Sequence, residues 1–315
     1  MRFLWTMRAA VLCAALVLLA ACGARAEDPD ADGGDTASRA DAGAAQTCRI
    51  TRPAVSLPPE LNETSGAALD PRTPGLFWTH GDSGGEPAVY AIAANGQLAG
   101  RVVLTGARNR DWEDMAIGPC GGGQCVYAAD IGNNGGRGRA LVLYRAPLPA
   151  AADAATAPAE VFRAQFPGGA GRDAEAVFVT AEGEVYVINK GQRHPIELWH
   201  WPAPLQPGPV DLVRVRQLAA RPRQPGDAVT GAGASEDGRW VAVRTYARLA
   251  VYRTADLLGG GGPAFSMELA PLGEPFGEAV AMRADGTVLL TSESGGSGLP
   301  GRAVWLQCPL PVDSA

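Results

Sequence analysis

Lysine is nearly missing from this chain: Lys190 is the one lysine among 27 basic residues. The remaining positive charges are arginines scattered without a basic run, so no nucleic-acid partner is expected. Histidine is scarce as well, with three in 315 residues. There is no Cys-x-x-Cys and no His-x-x-x-His, which removes the common zinc frameworks. Long apolar runs are also absent. The stretch Ala9–Ala21 is too short to span a bilayer comfortably. Helix has little support, because Gly and Pro recur too often and no apolar stripe of period 3.6 persists.

What the N-terminus does contain is a targeting pattern. Arg2 and Arg8 precede the apolar stretch, which ends Leu19-Ala20-Ala21-Cys22-Gly23. Small residues before the cysteine resemble a bacterial lipobox, which implies a signal peptide over 1–21 and lipidation at Cys22. An ordinary secretory signal cleaved near Ala24-Arg25-Ala26 is the competing reading. Gly23 is not the aspartate associated with inner-membrane retention, so the expected location is the outer membrane, facing the periplasm or the cell surface. Residues 22–47 are Ala, Asp, Gly and Ser with almost no large apolar side chain, and read as a flexible tether. The formal charge of −6 becomes more negative once the signal arginines leave.

The folded part is then a single domain over 48–315, expected to be monomeric. Its four cysteines fit an oxidising compartment. Cys120 and Cys125 flank Gly-Gly-Gly-Gln and read as a clipped hairpin, leaving Cys48 and Cys308 to join the two ends of the domain.

An acid stands at the start of an apolar strand five times, at intervals of about 50 residues: Glu63, Glu113, Glu175, Asp227 and Glu278. Each repeat divides into four short strands at Gly, Pro, Asn or Asp. The first gives Thr64–Leu69, Leu76–His80, Ala88–Ile92 and Gly100–Thr105. The second gives Glu113–Ile117, Cys125–Asp130, Ala140–Arg145 and Glu160–Phe166. The third gives Glu175–Thr180, Glu184–Asn189, Ile196–Trp201 and Asp211–Leu218. The fourth gives Ala228–Ala232, Trp240–Thr245, Leu249–Arg253 and Ala264–Leu269. The fifth has only Glu278–Met282, Thr287–Ser292 and Ala303–Cys308, and Cys48–Val55 supplies its missing strand. The expectation is an all-β, five-bladed β-propeller closed by its own N-terminal strand, which removes exposed sheet edges. A six-bladed ring would need more chain than the Ala/Pro loop Leu148–Pro158 provides. A β-sandwich is the other alternative.

In such a ring the first strand of each blade lines the channel, so the five acids are expected to face one another. Like charges packed together stay protonated or hold a cation. Oxygen ligands without Cys or His favour calcium, structural or catalytic. A water-filled channel lined by solvated acids is the plainer alternative. The second strand of each blade returns to the same mouth, where Asp82, Asp130, Lys190, Arg244 and Glu293 cluster. Lys190 and Arg244 are candidates to bind phosphoryl oxygens, and Asp82 or Asp130 to activate water. Gly81-Asp82-Ser83-Gly84-Gly85 repeats the surroundings of a serine-protease nucleophile, but no histidine has the context a triad requires. His200, between Trp199 and Trp201, reads as a packed strand residue.

Glu63-Thr64-Ser65-Gly66, His80–Gly85, Asp111–Ala116, Asp130–Asn134, the Glu-Ala pairs at 175 and 278, and Arg244-Thr245-Tyr246 together resemble bacterial propellers of the esterase-like phytase and related lipoprotein type. The resemblance spans nearly all of Cys48–Leu310. The five-blade plan with one axial acid or hydroxyl per blade is also similar to the calcium-activated nucleotidases (apyrases), in which calcium sits beside a nucleotide diphosphate site. These likenesses imply a calcium-dependent hydrolase of a phosphoester or phosphoanhydride acting on a small anionic substrate. The alternative is a non-catalytic envelope module that binds a glycan, peptide or protein and uses calcium structurally. The membrane would be met through the lipid anchor alone.

Overall fold

The computed structural model describes residues 47–136, 138–151, 156–296 and 298–311. The expected signal segment, the expected lipidation site at Cys22 and the expected tether as far as Gln46 lie outside the described residues. Among the described residues no helix is long and apolar enough to cross a membrane.

The chain folds as a five-bladed β-propeller. Blade one is Thr64–Leu69, Leu76–Gly81, Ala88–Ala93 and Leu98–Thr105. Blade two is Trp112–Cys120, Gly123–Asp130, Leu141–Pro147 and Glu160–Gln165. Blade three is Ala174–Val179, Val185–Asn189, Ile196–Trp201 and Val213–Ala219. Blade four is Val229–Ala234, Trp240–Thr245, Arg248–Arg253 and Phe265–Glu268. Blade five takes Phe276–Met282, Thr287–Glu293 and Arg302–Gln307, and its outer strand is Arg49–Ser56 from the start of the domain. Each inner strand packs against the inner strands of the two neighbouring blades, and blade five returns to blade one.

Two features went beyond the sequence pattern. Thr156–Pro158, inside the expected Ala/Pro loop, runs parallel to Leu98–Thr105 and adds a fifth strand to blade one. Pro209–Asp211 does the same for blade two. Both cover an outer edge that would otherwise offer unpaired backbone groups. Among the described residues helix is confined to Thr254–Gly259 and single 3-10 turns.

The core lies between blades. Trp78, Trp112, Trp201 and Trp240 are fully buried there, each packed among aliphatic side chains of facing sheets. His200 rests on Tyr186 and bonds Glu184 through Nε2 at 2.6 Å, a packed strand residue as expected.

Cys48–Cys308 and Cys120–Cys125 are both bonded. The first ties the outer strand of blade five to the end of its neighbour across 260 residues of sequence. The second clips a hairpin, with a separation of 5. Chain entropy scales with the closed loop, so Cys48→Ser/Cys308→Ser should cost roughly 5 kcal/mol and Cys120→Ser/Cys125→Ser roughly 2 kcal/mol. Urea midpoints of the two double variants test this ordering; equal losses, or the reverse order, would contradict a ring held shut at its termini.

Candidate functional site

All five inner strands break register with their partner near the same end of the ring. The breaks fall between Thr64 and Ala67, Trp112 and Asp114, Ala174 and Ala176, Val229 and Gly231, and Gly277 and Val280. A bulge re-aims the extra residue. These bulges hold Ser65, Glu113, Glu175, Thr230 and Glu278, with Gly66 and Ala279 completing the first and last, all buried. The inner tier is therefore three glutamates and two hydroxyls, and the expected ring of five acids needs correcting. Glu63 lies two residues ahead of its bulge and is exposed on the rim. Asp227 ends the exposed turn Pro225–Asp227. The hydroxyls have another use: Ser65 Oγ donates to the Glu113 carbonyl at 2.6 Å, and Thr230 Oγ1 to the Glu278 carbonyl at 2.7 Å. Each thus ties its blade to the next. A glycine follows each one, because a Cβ on Gly66 would sit 2.4 Å from Met115 N and one on Gly231 2.9 Å from the Glu278 carbonyl.

A second tier comes from the ends of the second strands. Backbone N–H groups of Asp82, Gly132, Lys190 and Tyr246 bond carbonyls of Glu63, Asp111, Asp173 and Ala228, and Glu293 pairs with Phe276. Asp82, Lys190, Tyr246 and Glu293 accordingly line an axial cavity of about 290 Å³ together with Glu113, Glu175 and Glu278. Asp130 and Arg244 do not join them. Asp130 is buried and paired with Arg110 at 3.0 Å and with Arg139. Arg244 is buried against blade five, donating to the Ala279 and Thr291 carbonyls at 3.0 Å each and pairing with Glu274 at 2.7 Å.

The acids of blades one to three gather into two groups. Carboxylate oxygens of Asp82, Asp111 and Glu113 lie within 4.8 Å of one another, as do those of Glu113, Asp173 and Glu175. Glu113 belongs to both groups. Gly132 makes room for it: a Cβ there would lie 2.0 Å from Glu113 Oε1. The motif Asp-x-Glu, at 111–113 and 173–175, supplies both acids of each blade to these groups. Burial is the largest influence on every member of the cluster. It pushes Glu113 well above the ordinary carboxylate range, with Glu175 and Asp82 adding to the rise. Asp82, Asp111 and Asp173 are raised by burial too. Lys190 Nζ donates to Glu175 Oε1 at 2.8 Å. Burial opposes that ammonium, but Glu175, Tyr246 and Asp173 outweigh it and hold Lys190 protonated.

Two carboxylate atoms in this cluster meet no donor. Asp82 Oδ1 and Asp173 Oδ2 are buried without a hydrogen-bond partner. Glu113 is only 7% exposed, and burial and neighbouring charges, with no hydrogen bond, set its protonation. Oxygen donors from three chain segments, with more negative charge than Lys190 and Arg139 can offset, suit a hard cation such as calcium. The residues present fit that ion.

Sequence reasoning missed Asp114. It is fully buried, and its carboxyl accepts N–H groups from Met115 at 2.8 Å, Val177 at 2.9 Å and Ala232 at 3.2 Å. One side chain thereby links blades two, three and four beneath the inner tier. The signal was present: the residue after Ser65, Glu175, Thr230 or Glu278 is Gly66, Ala176, Gly231 or Ala279, and an acid stands only here. His80 is likewise structural. Its Nε2 accepts from Gly66 N–H at 3.2 Å and its Nδ1 bonds the Gly81 carbonyl at 2.9 Å. Burial pushes it down to about 4, so it is a neutral brace and not a triad base.

No protein-family model and no curated protein matches the sequence. The fold has solved counterparts. The PQQ-bound aldose sugar dehydrogenase of Streptomyces coelicolor aligns over 85% of this chain and 99% of its own, at 14% identity and TM-score 0.51. A glucose dehydrogenase aligns over 82% of this chain and 100% of its own, at 12% identity and TM-score 0.48. Likeness at this identity is a likeness of fold.

Asp114→Ala leaves three buried N–H groups without acceptors and should lower stability by about 3–5 kcal/mol. Urea unfolding monitored by tryptophan fluorescence measures it; a loss under about 1 kcal/mol would mean that this link between blades is dispensable.

Proposed function

We propose that the mouth binds calcium on Asp82, Asp111 and Glu113 and hydrolyses a phosphate ester or anhydride beside it. The observation that carries this reading is the buried carboxylate cluster around Glu113, in which Asp82 Oδ1 and Asp173 Oδ2 meet no donor, set next to the chain's sole lysine. The group containing Glu175 has the Lys190 ammonium at 2.8 Å, whereas the Asp82 group meets only Arg139, at 3.4 Å from Asp111. Bound calcium would polarise a phosphoryl oxygen. Lys190, anchored by Glu175 at the cavity wall, faces the same oxygens with a second positive charge. Asp173 Oδ2 takes the proton of the attacking water as its oxygen bonds to phosphorus. Tyr246, kept protonated by burial and by Glu278, gives a proton to the leaving oxygen. The resemblance of the motifs to esterase-like phytase propellers, and of the five-blade plan to the calcium-activated nucleotidases, supports the reading. Anchorage at Cys22 would set a monomeric domain on the outer membrane, with its substrate drawn from the periplasm or the surroundings.

A second reading has its own support. Asp130 and Arg244, two side chains expected to work on substrate, are held in buried ion pairs. What remains at the mouth also suffices for a binding module, with the ion stapling the ring and a glycan, peptide or protein docked above it.

Turnover of a phosphoester panel with calcium, with chelator, and by Lys190→Met separates the two. The hydrolase reading expects activity that chelator abolishes and a drop in kcat/KM of about a hundredfold or more in the variant. Calcium binding without turnover of any ester would favour the module.

A further inference from the structure

A groove of about 450 Å³ lies beside the mouth between blades four and five. It is continuous with the axial cavity, because Gln192, Tyr246 and Phe276 line both. Tyr246 and Phe276 form one wall, with ring centroids 4.7 Å apart and planes inclined at 50°. That contact leaves no slot between the two rings, so a flat ligand cannot be sandwiched there. Phe276 is 40% exposed, and burial against the core does not account for it.

The polar side of the groove is the Arg244–Glu274 pair, both side chains buried. Three guanidinium contacts are made, to Ala279, Thr291 and Glu274. Arg244 Nε and Glu274 Oε1 are left without partners. One ion pair on this groove thus keeps a buried donor and a buried acceptor unmet, which is costly. A hydroxyl group both donates and accepts, so two adjacent hydroxyls satisfy such a pair in either orientation.

We propose that this groove is the subsite for the sugar ring of a sugar phosphate; the assignment rests on the reading of the mouth as a phosphate site. The C–H face of the pyranose lies on Phe276. One hydroxyl donates to Glu274 Oε1, its neighbour accepts from Arg244 Nε, and the phosphate reaches Lys190 and the acid cluster. A nucleobase would gain most from stacking on both faces, which the Tyr246–Phe276 contact denies.

The test is calorimetric titration of the full chain in calcium with non-hydrolysable methylene phosphonates of glucose, glycerol and adenosine. The glucose probe should bind about tenfold tighter than the glycerol probe, the effect of one ring stacked on an aromatic face. Phe276→Ala should erase that difference while leaving the glycerol probe's affinity unchanged. Phe276→Leu, which keeps the bulk, should give an intermediate loss. Equal binding of the glucose and glycerol probes, tighter binding of the adenosine probe, no effect of either variant, or no binding at all would overturn the subsite. Discrimination without ester turnover would instead leave the subsite standing and refute hydrolysis. Turnover without discrimination would do the opposite.

Discussion

Asp114 accepts backbone N–H groups from Val177 and Ala232, two strands that belong to other blades. The axis is that narrow: inner strands approach closely enough for one carboxyl to bridge three of them. The matching positions hold only small residues, Gly66, Ala176, Gly231 and Ala279, and at the two glycines even a Cβ would meet the neighbouring backbone. Just above this constriction every inner strand bulges. The bulge turns one further residue per blade toward the mouth, and three of those residues are glutamates. Close approach of the blades is thus what concentrates the acids, and concentrated acids are what create the demand for a cation.

The five blades are not equivalent around that axis. Blades one to three supply Asp82, Asp111, Glu113, Asp173 and Glu175, an arc of carboxylates with Lys190 at its edge. Blade four supplies Tyr246, and blade five adds the exposed ring of Phe276 to Glu278 and Glu293. One side of the mouth is built for charge and the other for a ring. A ligand with both parts has a single orientation that suits it.

Much of this was legible in the chain. The period of about 50 residues and the turn residues between apolar runs gave the blade count and most strand limits. Cys48 and Cys308 fell on neighbouring strands once the first strand was assigned to the last blade. Glu113, Glu175 and Glu278 could be placed because each opens an apolar strand. Glu63 and Asp227 could not, because a bulge is invisible to residue counting. The usable signal was the hydroxyl-glycine step in Ser65-Gly66 and Thr230-Gly231. The fates of Asp130 and Arg244 were hidden for a different reason. Their partners, Arg110 and Arg139 in one case and Glu274 in the other, are set by folding and not by repeat position. Thr156–Pro158 and Pro209–Asp211 are too short, and too rich in proline, to show an alternating pattern.

The central claim is that a hard cation sits on the carboxylates around Glu113, and its position is the most direct thing to measure. A crystal grown in calcium and recorded at a wavelength where calcium scatters anomalously would locate it. A peak with carboxylate oxygens of Asp82, Asp111 and Glu113 at about 2.3–2.6 Å is the predicted result. A map with no peak in the axial cavity, or one whose only ion lies away from Glu113, would contradict the account.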